Sequence, residues 1–318
     1  MRDIAILILI FVFFLLAIKS REKGMYVYWW FAVFRPHDWV YMDLGALKLP
    51  LMATALFLAP AVLQKILPKF NNSLAKLILT FFLLQALSTT LNGCSEFPIF
   101  VTMTLFGMFL LFIISFISAE IISTRKILFF LIIVIAVSIG FHSGKAGLIS
   151  LTGANYAGTA LLGGFMTGSN ALALSTGLAI FYMLFCYKMM TKEHLSSMHM
   201  DGLMLTMLPK LRSLVLVVIA GSFLYIVASE SRGSFLATTL GLGLYFFLQK
   251  KKFKVILIGI LAMAIAIPIV SVPGDFQKRI MSAFADKDDL DKSAASRPHF
   301  WAVAAEMTKD HPLGVGTG

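Results

Sequence analysis

Two arginines and one tryptophan carry most of the chemistry this sequence can offer. Arg232 interrupts an otherwise apolar hairpin, Ile226-Val227-Ala228-Ser229-Glu230-Ser231-Arg232-Gly233-Ser234-Phe235-Leu236. A guanidinium near membrane depth is costly and usually marks a cavity, a partner or a substrate path. It can equally snorkel to the surface or pair with Glu230. Arg297 and Trp301 stand four apart, so on a helix they share one face. A guanidinium held there could grip a phosphate through two parallel hydrogen bonds. The same stretch also reads as an amphipathic helix resting on a membrane, docked by Phe300, Trp301, Ala304 and Met307.

Conventional soluble-enzyme signals are missing. There is no phosphate-binding loop, no His-Glu-x-x-His and no Gly-x-Ser-x-Gly, and Gly163-Gly164 with Gly168 lacks the strand–turn–helix setting of a dinucleotide fingerprint. The six histidines, His37, His142, His194, His199, His299 and His311, form no metal-binding pattern. Cys94 and Cys186 lie far apart, within or beside apolar runs, and read as small buried hydrophobes.

The elements that must position these residues are membrane helices. The chain is 59% hydrophobic with mean hydropathy +0.87, against about 45–50% for a soluble domain. One water-soluble core cannot hide that much apolar surface, so lipid must cover part of it. The net charge of +11 does not suggest nucleic acid, because the positives sit in short clusters between apolar runs. Residues 271–318 hold six Lys/Arg against seven acids, whereas the first 270 hold 21 against nine. Clusters such as Arg125/Lys126, Lys188/Lys192 and Lys250–Lys254 have the form of cytoplasmic loops.

Candidate spans are Ile4–Ile18, Leu51–Gln64, Leu74–Leu91, Phe97–Ser118, Ile127–Phe141, Asn170–Tyr187, Ser213–Ser229, Gly233–Leu248 and Val255–Val272. The first is a retained helix, since no cleavage site follows it. Met25–Phe34 is either an interfacial segment, giving nine spans and an inner amino terminus, or a tenth span, giving an outer one. With Lys250–Lys254 inside, the turn carrying Arg232, the glycine-rich stretch Gly140–Ser169 and everything after Ser271 face outward, while Lys188–Arg212 is cytoplasmic. No repeat or linker divides the chain. The expected architecture is an all-α polytopic membrane bundle over 1–270, followed by the start of an extracytoplasmic loop over 271–318. In that loop Ser296 is expected to cap a short helix, with Pro298 in its first turn, ending near Lys309.

Ser231-Arg232-Gly233, one helix, a basic turn, another helix and an external loop together resemble the O-antigen ligase and polymerase family of bacterial envelopes. The loop shows Arg297-x-x-x-Trp301 and then Asp310-His311-Pro312-Leu313-Gly314-Val315-Gly316, similar to the family's His-Pro-Leu-x-Gly-x-Gly-like turn. Upstream, Gly168-Ser169-Asn170-Ala171-Leu172-Ala173 looks like its Asn-x-Leu-Ala helix start. Met1-Arg2-Asp3-Ile4 and Phe34-Arg35-Pro36-His37 resemble one branch, the O-glycosylation ligases associated with exosortase A.

The resemblance implies an enzyme that moves a glycan from a polyprenyl-pyrophosphate carrier to an acceptor hydroxyl, on a protein or an envelope glycan. The reaction would take place at the extracytoplasmic face of a bacterial inner membrane. It implies no metal and no nucleotide-sugar cofactor, because the pyrophosphate is already a good leaving group. Arg232 and Arg297 would neutralise the departing pyrophosphate, with Asn170, Trp301, His311, Gly314 and Gly316 in the donor site. The family's general base, a loop histidine followed by Asn, Ser or Gln, is absent here, so the sequence reads as a fragment of a longer protein. A polymerase joining repeat units shares the chemistry. A transporter or flippase without covalent chemistry would instead show internal repeats and charges at mid-membrane, neither of which is seen.

Overall fold

The computed structural model describes residues 2–39, 47–91, 98–152, 169–229, 231–248 and 292–315. The predicted span Val255–Val272, the basic turn Lys250–Lys254, Glu230, Cys94, Gly163, Gly164, Gly168, Gly316 and the charged run before Lys292 lie outside them. All regular structure among the described residues is helical: α1 (Arg2–Lys19), α2 (Arg21–Phe34), a 3-10 turn (Pro36–Trp39), α3 (Leu49–Leu63), α4 (Ser73–Leu91), α5 (Pro98–Ile121), α6 (Arg125–Ser150), α7 (Ser169–Met189), α8 (Lys192–Ser197), α9 (Gly202–Ala228), α10 (Arg232–Phe247) and α11 (Lys292–Asp310). Five of these, α4 to α7 and α9, are long and apolar enough to cross a membrane. The protein is therefore an all-α, multi-pass membrane protein. Its chain divides into two compact units, Met1–Phe57 with Ser123–Met281, and Leu58–Ile122 with Ser282–Gly318.

The first unit is built on α6, α7 and α9. Thr124 caps α6 by accepting from the Ile127 amide. Phe129, Ala136, Ile139, Ile180, Met183, Cys186 and Ile226 form the shared core. Register follows from the contacts. Gly140 faces Val218, Ser143 faces Ser222 and Gly147 faces Gly221, so α6 and α9 run parallel. Ala146 and Leu172 cluster with Tyr225 at one end, and Arg212 donates to the Tyr187 carbonyl at 2.9 Å at the other, so α7 runs antiparallel to both. Along α10, Gly241 and Tyr245 meet Phe181, which makes α10 parallel to α7.

Small residues decide the α6–α9 crossing. Helices in lipid gain little from hiding apolar surface against each other, and close only where small side chains admit backbone contact. A Cβ on Gly221 would fall 2.7 Å from the Gly144 carbonyl oxygen, so the two backbones touch directly. This corrects the expectation of an outward glycine-rich loop from Gly140. The helix continues to Ser150, because Gly140, Ser143, Gly144 and Gly147 supply a packing face. Similarly, α9 begins at Gly202, inside the stretch taken as a cytoplasmic loop.

The structure also fixes how the first two helices run. Phe14 stacks on Phe31 at 5.1 Å and Phe13 meets Trp30 at 4.5 Å, so α1 and α2 form an antiparallel hairpin about Ser20. The Tyr26 hydroxyl donates to the Ile127 carbonyl, while Phe34 packs on His142, so α2 runs parallel to α6. The basic turn Lys19–Lys23 therefore shares an end with Arg125 and Lys126.

In the second unit, α4 and α5 form an antiparallel hairpin. Phe82 lies 5.3 Å from Phe112, Phe70 lies 5.1 Å from Phe116, and Lys69 pairs with Glu120 at 2.7 Å where the hairpin closes. The loop helix α11 starts at Lys292, not after a Ser296 cap, and Pro298 lies inside it. Ala294 and Ala295 favour helix strongly enough to extend it ahead of Pro298.

Candidate active site

One end of the first unit gathers the predicted residues that lie on it. Both α7 and α10 begin there. Gly177 packs on the Thr238 hydroxyl, and two turns toward both amino ends brings Asn170 level with Ser231 and Arg232. Asn170 is exposed in the first turn of α7, and Arg232 is the first residue of α10.

Hydroxyls shape the turn that carries Arg232. Ser229 donates to the Ile226 carbonyl at 2.8 Å and accepts from the Ser231 amide at 3.3 Å. The Ser231 hydroxyl donates to Ser234 at 2.9 Å instead of capping α10. All three serines are buried. A helix start whose capping side chain is turned elsewhere offers amide donors and the positive end of its dipole to an anion.

A second cation stands at this end, and the sequence reading passed over it. Lys145, exposed on the last turns of α6, places its ammonium 5.0 Å from the centre of the Trp39 ring. Trp39 stacks on Phe34 and meets Phe141 and His142. The His142 Nε2 donates to the Phe34 carbonyl at 3.1 Å, tying this corner to α6. The signal was available: Lys145 is the only Lys or Arg between Lys126 and Lys188. It was missed because Gly140–Ser169 was taken for loop.

The remaining predicted residues lie on the second unit. Arg297 and Trp301 are one turn apart in α11, as their spacing predicted, and Trp301 is exposed. His311 follows the helix, and its carbonyl accepts from the Gly314 amide at 2.8 Å, closing the His-Pro turn. Gly314 adopts φ +86°, a conformation that favours glycine, and a Cβ there would fall 2.8 Å from the Ser88 hydroxyl oxygen, which would have to turn aside.

The stretch from α9 through this turn matches the O-antigen ligase family over residues 214–318. These residues are an O-antigen ligase domain. No curated protein and no solved structure matches the chain. The match spans Arg232, Arg297, Trp301, His311, Gly314 and Gly316, and leaves Asn170 and Lys145 outside it. The O-antigen ligase domain supports a ligase- or polymerase-type handling of glycans, with a lipid-linked donor and a bilayer around it. The likeness to the exosortase-associated branch rests on Met1–Ile4 and Phe34–His37, outside the matched residues.

Proposed function

We propose that this protein transfers a glycan from a polyprenyl-pyrophosphate carrier to an acceptor hydroxyl at the extracytoplasmic face, with Arg232 and Arg297 binding the pyrophosphate. What supports the reading is that Asn170, the first residue of α10 and Lys145 all lie on helix ends at the end of the unit away from Lys19–Lys23, Arg125 and Lys126. By the distribution of basic residues, that end is the outer one. A lipid-linked donor needs cations at the membrane surface beside apolar helices, which is what this end offers.

In the reaction, the acceptor oxygen bonds to the anomeric carbon as the bond from that carbon to the phosphate oxygen breaks. The electron pair leaves with the polyprenyl pyrophosphate, and the acceptor proton passes to a base. Guanidinium and amide donors aimed at the phosphates stabilise the charge that grows on them, and removal of one such donor costs about 10²–10³ in rate. A ligase and a repeat-unit polymerase differ only in which hydroxyl attacks.

The test is glycan transfer by the complete protein in membranes. Arg232→Ala and Arg297→Ala should each abolish transfer at unchanged abundance, and Arg→Lys should rescue poorly if two-point phosphate contact matters. Transfer at the normal rate by either alanine variant overturns its assigned role. Product analysis then separates addition to a foreign acceptor from growth of a repeat chain.

A further inference from the structure

We infer that α11 is an interfacial helix, seated in the outer headgroup layer of the lipid bilayer by Phe300, Trp301, Ala304 and Met307. Every residue from Pro298 to Val315 is exposed, including Phe300 at 64% and Trp301 at 71%. A helix with such side chains bare in water would be poorly soluble. Its register is two-sided. Val303, Met307, Phe300, Ala304 and Trp301 fall on one arc together with Thr308, while Glu306 and Lys309 fall on the other side and Asp310 borders Val303. Aromatic rings on such an arc suit the membrane interface.

The second unit supplies the depth. Gly314 packs against Ser88, one turn before α4 ends at Leu91. This is the end of the α4–α5 hairpin away from Lys69 and Glu120. The lipid-facing residues of α4, among them Phe81, Leu84, Leu87 and Leu91, reach up to that point. Leu313 and Val315, on the turn that holds Gly314 against Ser88, are exposed as well. The occupant that covers α4 is thus the one available to α11, namely lipid.

Seated this way, the helix sets the depth of Arg297. Arg297 is one turn before Trp301 and falls by register within the apolar arc. Its backbone is then held at the level of lipid phosphates, where a polyprenyl pyrophosphate presents its own. This last step rests on the proposed transfer reading; the docking itself does not.

The experiment is fluorescence quenching in the 318-residue chain reconstituted into bilayers, with Trp29, Trp30 and Trp39 changed to Phe so that only Trp301 emits. Phosphatidylcholine brominated near the headgroup should quench Trp301 more than lipid brominated deep in the chain, and aqueous acrylamide should quench weakly. Strong acrylamide quenching without lipid quenching overturns the proposal, as does protection from both. Should the triple variant fail to fold, a nitroxide at Met307→Cys in a Cys94→Ser, Cys186→Ser background gives the same answer. Higher accessibility to oxygen than to a water-soluble nickel chelate supports docking, and the reverse refutes it. Failure of the transfer reading would leave the quenching intact. Failure of docking would leave Arg297→Ala still able to abolish transfer.

Discussion

Replacing Gly147 by alanine tests the helix crossing on which the candidate site stands. The added methyl would lie 2.7 Å from the Gly221 carbonyl carbon and 2.8 Å from the Tyr225 nitrogen, and nearer still to the Gly221 oxygen. Ordinary contact begins at 3.4 Å, so the shortfall at the carbonyl carbon is 0.7 Å. These neighbours are backbone atoms and cannot rotate away, so α6 and α9 must part. Separation would also strain the Ser143–Ser222 hydrogen bond of 2.8 Å. The expected cost is about 2–3 kcal/mol, the upper half of the range for overpacking. That corresponds to roughly 4–10 °C in melting temperature. Buried Cys186 makes a thiol-reactive dye a suitable reporter of unfolding in detergent, with Cys94 replaced by serine. Because α9 leads into the turn carrying Arg232, transfer activity of the complete protein should fall as well. Gly107→Ala is the internal control: nothing lies within 4 Å of its Cβ position, and alanine should gain up to about 1 kcal/mol in helix propensity. If Gly147→Ala melts like Gly107→Ala, the direct backbone contact is wrong.

Other outcomes follow from the same geometry. Gly314→Ala should impair transfer through both its positive φ and the Ser88 hydroxyl, and Ser88→Gly in the same chain should restore only part; full restoration would show that backbone conformation is irrelevant there. Lys145→Ala should raise the KM for the lipid-linked donor more than it lowers kcat, which steady-state kinetics would show, and an unchanged KM would remove Lys145 from the donor site. Burial holds His37 below its ordinary pKa, with Asp38 opposing and Arg35 adding to the effect. The unfolded chain then takes up the proton first as pH falls. Stability present above the usual histidine value of about 6.5 should decline as pH drops through and below it. Melting curves between about pH 7.5 and about pH 5.5 should show this decline, and His37→Gln should flatten it; an equally steep loss in that variant would place the cause elsewhere. Cysteine in place of exposed His299 should react with an impermeant thiol reagent added to intact spheroplasts, and labelling only after lysis would invert the topology.

The sequence by itself determined what must face lipid. Long apolar runs leave no alternative to helices, because every backbone amide in a bilayer needs an internal partner. Charge clusters placed the ends of those helices, and the fixed spacing of Arg297 and Trp301 put them one turn apart on α11. Sequence could not decide which glycines end helices and which join them. Gly140, Gly144 and Gly147 have the composition of a loop, and only the approach of Val218 and Gly221, on a helix more than 70 residues away, turns them into a packing face. Nor could it say what Met25–Phe34 packs against, because its partners, Ile127 and His142, lie about a hundred residues later. The level of Asn170 with Arg232, and the presence of Lys145 at the same end, depend on the register of packed helices. Register is set by side-chain interlock across distant segments, and that interlock exists only in the folded chain.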